Sequence, residues 1–169
     1  MISIITGRRG IGKTTYVLKM IEEIRTNGNK SSGIITPAIY DEDSNKVGFY
    51  ALDLTNGDQW ELGRSDKDLN GHSYGPFSFS ERGFIRANEI LKCALTKGSE
   101  DVFLDEIGPM ELIRGYGFYP VLSLITSFNK DRDLYLVIRP ELIKKFTNIF
   151  LPGKEYKVVE ITNENRDSF

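Results

Sequence analysis

Four residues near the start of the chain, Gly7, Gly12, Lys13 and Thr14, fall in the order G-x-x-x-x-G-K-[ST]. Residues of these types at this spacing hold phosphate. The glycines let the backbone wrap until successive N–H groups point at one anion, at the positive end of the helix that follows. The lysine reaches the β- and γ-phosphates of a nucleotide, and the neighbouring hydroxyl is a ligand for Mg²⁺. Gly7, Arg8, Arg9, Gly10, Ile11, Gly12, Lys13, Thr14 and Thr15 are therefore the candidate nucleotide contacts. Arg8 and Arg9 keep two readings: they lean over the γ-phosphate, or they stand solvated in the loop. A turn that merely joined a strand to a helix would need neither Lys13 nor Thr14.

A second group lies in "VFLDEIGPMEL", residues 102 to 112. Asp105 ends an apolar run that reads as a buried strand, the place for a carboxylate that holds Mg²⁺ directly or through water. Glu106 follows at once and is the candidate general base, positioned to orient and deprotonate an attacking water. Pro109 suits the first position of a helix, and Glu111 then falls in the first turn, where the helix dipole favours an acid. A catalytic role for Glu111 is the other reading. Arg139 ends the run "LYLVIR", as either a transition-state finger supplied from within the chain or a surface ion pair. Asn163, Asn165 and Arg166 follow the last expected strand and either border the base or form an ordinary polar loop. Amide side chains donate and accept, so they meet several bases without selecting one.

Elements of the right kind surround these groups. "ISIIT" (2 to 6) is a β-branched apolar run that suits a buried parallel strand. Val17, Met20, Ile21 and Ile24 then follow helical spacing up to Asn27-Gly28. Residues 33 to 62 change character and read as an antiparallel insertion, with Asn56-Gly57 as a two-residue hairpin signal. Residues 63 to 76 read as a polar loop, and its His72, the single histidine, as solvated. A helix is expected from Phe84 to Leu95, with Cys93 as a small buried side chain on it. Strand 101 to 106, a helix around 118 to 129, strand 134 to 138, a short helix after Pro140 and strand 156 to 161 complete the alternation. That alternation calls for a mostly parallel sheet with helices on both faces.

At 169 residues the chain is long enough for one domain, 1 to 169, and short for two. Apolar residues make up 40% and charged residues 27%, which excludes a disordered tail. A net charge of −2 offers no bulk attraction to nucleic acid or anionic membrane. One cysteine excludes an internal disulfide, and no apolar run approaches the roughly 20 residues that span a bilayer. The apolar start runs straight into arginines, the wrong order for a signal peptide, so a cytoplasmic protein is expected.

At four separated motifs the chain resembles the nucleoside-triphosphatase family first known from thermophiles, which has a human cancer-related member. The motifs are "TGRRGIGKTT", "GIITPAIY…VGFYALDL", "DEIGPMEL" and "VVEITNENRD", in the family's order. The resemblance implies an α/β P-loop sandwich of three layers. Its RecA-like topology has an extra strand between the two motif strands. It also implies Mg²⁺-dependent hydrolysis of ATP, GTP and other nucleoside triphosphates with weak base preference. The family often has prolines where Arg8 and Arg9 stand, and usually continues into a terminal helix beyond the position of Phe169. Two other functions fit the residues. A small-molecule or nucleotide kinase would dock its acceptor between the insertion and the loop. A nucleotide-dependent binding module would use the insertion to recruit a protein partner.

Overall fold

The computed structural model describes residues 1–98, 100–128 and 131–168. In chain order the strands are β1 (Ile2–Thr6), β2 (Ser31–Ile35), β3 (Ala38–Tyr40), β4 (Lys46–Asp53), β5 (Gln59–Arg64), β6 (Ser73–Tyr74), β7 (Phe77–Phe79), β8 (Asp101–Ile107), β9 (Leu134–Ile138) and β10 (Lys157–Glu160). The helices are α1 (Lys13–Thr26), α2 (Glu81–Lys97), α3 (Pro109–Leu112), α4 (Tyr119–Leu122) and α5 (Ile143–Phe150). Short 3₁₀ turns lie at Ser123–Ser127 and Pro140–Leu142.

All ten strands join one sheet in the order β10-β1-β9-β8-β2-β4-β5-β7-β6, with β3 paired to β4 off this path. The five strands from β10 to β2 pair in parallel, and the rest antiparallel. The order places β9 between β1 and β8, so one strand separates the phosphate-loop strand from the acidic strand, as the resemblance implies.

Burial on both faces follows from strand alternation. Ile4, Ile34, Leu104 and Leu136 enter a core with Phe84, Leu91 and Phe146 from α2 and α5. Their neighbours Ile5, Ile35, Phe103 and Val137 enter a second core with Val17 and Ile21 of α1. Helix, sheet and helix make the three expected layers. Between β2 and β8 the backbones approach so closely that a Cβ at Gly33 would collide with the Phe103 carbonyl.

Several boundaries differ from those the sequence suggests. The antiparallel strands run from Ala38 to Phe79, not 33 to 62, and Ser31–Ile35 belongs to the parallel set. The stretch 63 to 76 carries the end of β5 and the start of a hairpin turning at Gly75-Pro76. The Asn56-Gly57 turn does join β4 to β5, but through five residues, with Gly57 N–H donating to Asp53 O. The helix expected near 118 to 129 breaks into α4 and a 3₁₀ turn, where Thr126 Oγ1 donates to the Ser123 carbonyl. Its expected end at 129 lies outside the described residues.

Cys93 is exposed rather than buried. The buried stripe of α2 is Phe84, Ala87, Leu91 and Ala94-Leu95, and position 93 falls off it. Among the described residues no helix is long and apolar enough to cross a membrane.

Candidate active site

The loop between β1 and α1 is built on left-handed glycines. Gly12, at φ 105°, caps α1, whose first turn carries no acid to offset its positive end. Ile11 is buried in the α1-side core and pins the loop from beneath. Gly7 lies so close to the residue that follows β10 that a Cβ there would stand 2.7 Å from the Ile161 carbonyl oxygen. Lys13 Nζ donates to the carbonyls of Gly7 and Arg8 at 2.9 and 3.1 Å. Burial lowers the pKa of this ammonium, while the charges of Glu106 and Asp105 act in the opposite sense. Thr15 is exposed on the first turn of α1.

Asp105 lies at the far end of the acidic strand, only 1% exposed. Its Oδ2 accepts from Thr14 Oγ1 at 3.0 Å and from both Thr36 N and Thr36 Oγ1 at 3.1 Å. Burial raises the pKa of this carboxyl, and the charge of Glu106 pushes the same way. A cation at Thr14 and Asp105 would relieve both effects. The two residues offer hard oxygen donors close together, and among the described residues no set of three or more His, Cys, Asp or Glu is arranged to cage a metal. One carboxylate and one hydroxyl suit Mg²⁺, which keeps several waters and binds through substrate phosphates.

Glu106 turns the other way. It adopts φ 64°, left-handed backbone that costs a non-glycine residue about 1–2 kcal/mol. It sits in a register shift of the β8–β9 ladder between Leu104 and Ile107. Its side chain is 37% exposed and pairs through Oε1 with Arg139 Nη2 at 3.3 Å. Arg139 therefore meets the candidate base itself. Backbone strain of this kind concentrates at functional sites.

Glu111 is 2% exposed. Its Oε2 accepts from the Gly108 N–H at 2.9 Å and its Oε1 from the Phe118 N–H at 3.3 Å. Burial pushes its pKa up to about 7. The carboxyl thus caps α3, which begins at Pro109 as expected, and also ties down the chain at Phe118.

At the other border, Asn165 spends its amide on the loop after β10. Oδ1 accepts from the Thr162 N–H, and Nδ2 donates to the Glu160 carbonyl, both at 2.8 Å. Asn163 Oδ1 accepts from Arg8 Nη2 at 3.4 Å, which brings this loop beside the phosphate loop. Arg166 pairs with Asp167 on the surface.

A cavity of about 500 Å³ opens beside the carboxylates. Arg9, Thr36, Glu106 and Arg139 line one part of it, and a set of aromatic rings lines another. Sequence reasoning missed those rings. Phe-Ser-Phe at 77 to 79, alternating and preceded by Gly-Pro, was the signal that could have found the hairpin.

A family model described as NTPase matches residues 3–169. The nucleoside-triphosphatase THEP1 of Thermofilum pendens is 30% identical over 168 residues, covering 97% of this chain and 88% of that protein. That of Methanopyrus kandleri is 38% identical over 109 residues, covering 64% of this chain and 58% of that protein. The crystal structure of THEP1 from the hyperthermophile Aquifex aeolicus superposes with a TM-score of 0.72 at 26% identity, over 99% of this chain and 94% of that one. A solution structure of a human cancer-related nucleoside triphosphatase gives 0.71 at 24% identity, over 97% and 90%, and speaks for the fold alone. With its phosphate loop, its strand order and a family match over nearly its whole length, the chain belongs to the NTPase family.

Proposed function

We propose that this single-domain chain hydrolyses nucleoside triphosphates, ATP and GTP among them, to the diphosphate and orthophosphate in a Mg²⁺-dependent reaction in the cytoplasm. The observation that carries this reading is the pair of adjacent carboxylates, one buried against Thr14 and one paired with Arg139 at the edge of the cavity. The loop N–H groups and Lys13 bind the triphosphate. Thr14 and Asp105 would hold the metal, which neutralises charge on the outer phosphates when bound. Glu106 orients a water for in-line attack on the γ-phosphorus and takes its proton. Arg139 holds the Glu106 carboxylate and stands where charge develops on the transferring group. The work is mainly positioning and charge stabilisation, since phosphoryl transfer asks little covalent chemistry of the protein.

Among the described residues after β10, Asn165 is committed to backbone groups, and the sequence carries no Asn-Lys-x-Asp base-reading motif. Values of kcat/KM for ATP and GTP should therefore differ by less than about tenfold, roughly 1.4 kcal/mol of discrimination. Phosphate release from ATP, GTP, CTP and UTP, with and without Mg²⁺, tests the reading. Release from all four with Mg²⁺ and its collapse under chelation is the expected result. A hundredfold preference for one base, or full activity without metal, contradicts it.

A further inference from the structure

Water needs little room, yet the cavity beside Glu106 holds about 500 Å³, within the range of roughly 300–1,000 Å³ of small-molecule sites. Its apolar part is lined by half-buried Phe49 and Phe77 and exposed Tyr74, backed by the buried rings of Phe79, Phe84 and Phe118. Rings follow one another in contact. Centroid distances are 5.9 Å for Phe49–Phe77, 6.0 Å for Phe49–Phe79, 6.1 Å for Phe79–Phe84 and 5.2 Å for Phe84–Phe118.

On one side of the cavity Glu111 ties down both Gly108 and Phe118 by direct hydrogen bonds. On the phosphate side, Glu106, Arg139 and Arg9 face the same volume, and Arg9 has no ion-pair partner among the described residues. Flat π surfaces bind flat rings. The rings come from the antiparallel strands and the α2–α4 side, the carboxylate from β8. A planar ring joined to a hydroxyl would use both parts of one cavity. A nucleoside has that form.

We propose that the cavity is an acceptor site for a nucleoside, with the base on the aromatic wall and a sugar hydroxyl at Glu106 in the place of the hydrolytic water. The inference rests on the hydrolase reading of Glu106 and the phosphate loop. The acceptor oxygen forms a bond to the γ-phosphorus, and the bond from that phosphorus to the β–γ bridging oxygen breaks. The departing diphosphate keeps the electron pair, and the hydroxyl proton passes to the Glu106 carboxylate. The products are a nucleoside monophosphate and a nucleoside diphosphate, and hydrolysis is the same reaction with water as acceptor. Stacking holds a base by its face, so more than one nucleoside serves.

The test uses the full chain with Mg²⁺ and ATP labelled in its γ-phosphate. Adenosine, guanosine, cytidine, uridine or thymidine is added separately, and labelled monophosphate and labelled orthophosphate are measured in the same samples. Labelled monophosphate is expected with at least one nucleoside. Tyr74→Ala and Phe77→Ala should each lower the ratio of transfer to hydrolysis by roughly tenfold, the loss expected for one stacked ring. Tyr74 is 42% exposed, so its removal does not open the core, and thermal melts check that both variants are folded. Orthophosphate without labelled monophosphate from any of the five overturns the acceptor site and leaves the hydrolase standing. Transfer whose ratio to hydrolysis survives both substitutions also overturns it, since the acceptor then binds elsewhere. Neither product overturns the hydrolase reading and the inference with it.

Discussion

The two ends of the cavity are held in different ways. At the phosphate end, position is set by directional bonds: three donors converge on Asp105 Oδ2, Lys13 binds two loop carbonyls, and Ile161 N–H donates to Thr6 O. At the aromatic end, position is set by packing, with neighbouring rings tilted or edge-on to one another. Bonds to fixed backbone locate an oxygen to within tenths of an ångström, which phosphoryl chemistry requires. Packed rings define a shape and a surface but no single atom, which suits recognition that tolerates several ligands. Glu111 is the exception at the aromatic end, a buried carboxyl that fixes two backbone N–H groups by direct bonds.

Breaking each end should therefore look different. The largest effect belongs to Glu106→Gln, which keeps the size of the side chain but removes the proposed base. General-base catalysis contributes about 10²–10⁴-fold, so kcat and kcat/KM should fall together by that factor while nucleotide affinity stays within a few-fold. Steady-state rates beside a calorimetric titration check this, and near-normal turnover removes Glu106 as the base.

Glu111 comes next. Burial raises its carboxyl from the ordinary 4.5 to about 7, the nearby Glu106 charge adds to this, and the Gly108 and Phe118 N–H bonds oppose it. The folded state thus prefers the protonated form. That stability is fully present below about pH 4.5 and is lost as pH rises through about 7. The size of the shift corresponds to about 3 kcal/mol. Urea unfolding from pH 4.5 to 8 should show the wild type losing that much more stability than Glu111→Gln; equal slopes would mean that the Glu111 carboxyl does not titrate differently in the folded chain.

Lys13→Ala should weaken triphosphate binding by about 10–100-fold, the worth of a hydrogen bond to a charged group, and monophosphate binding far less. Equal losses for the two ligands in titration calorimetry would mean that Lys13 does not reach the outer phosphates.

The phosphate end was legible in the sequence because its parts are local. A glycine loop, the helix start after it and an acid at the end of an apolar strand are fixed by backbone preferences within a few residues. The aromatic end was not, because its six rings come from positions 49 to 118 and meet only when β4, β6, β7, α2 and the turn before α4 pack. Arg139 was legible as a strand end but not as the partner of Glu106, which depends on β8 and β9 being neighbours. The left-handed backbone at Glu106 left no trace, since glutamate has no preference for it. Cys93 was misplaced by residue type, where the stripe of its helix decides exposure.

We propose that the two neighbouring carboxylates do different work because the strand buries one against Thr14 and turns the other toward Arg139. The dependence of phosphate release on Mg²⁺ concentration, measured for the wild type, Asp105→Asn and Glu106→Gln, tests it most directly. Asp105→Asn should raise the Mg²⁺ needed for half-maximal rate by about tenfold or more, with its defect partly relieved at high Mg²⁺. Glu106→Gln should leave that concentration within about twofold of the wild type and stay slow at every Mg²⁺ level. If the two variants shift the Mg²⁺ requirement alike, or only Glu106→Gln shifts it, the division of labour between Asp105 and Glu106 is wrong.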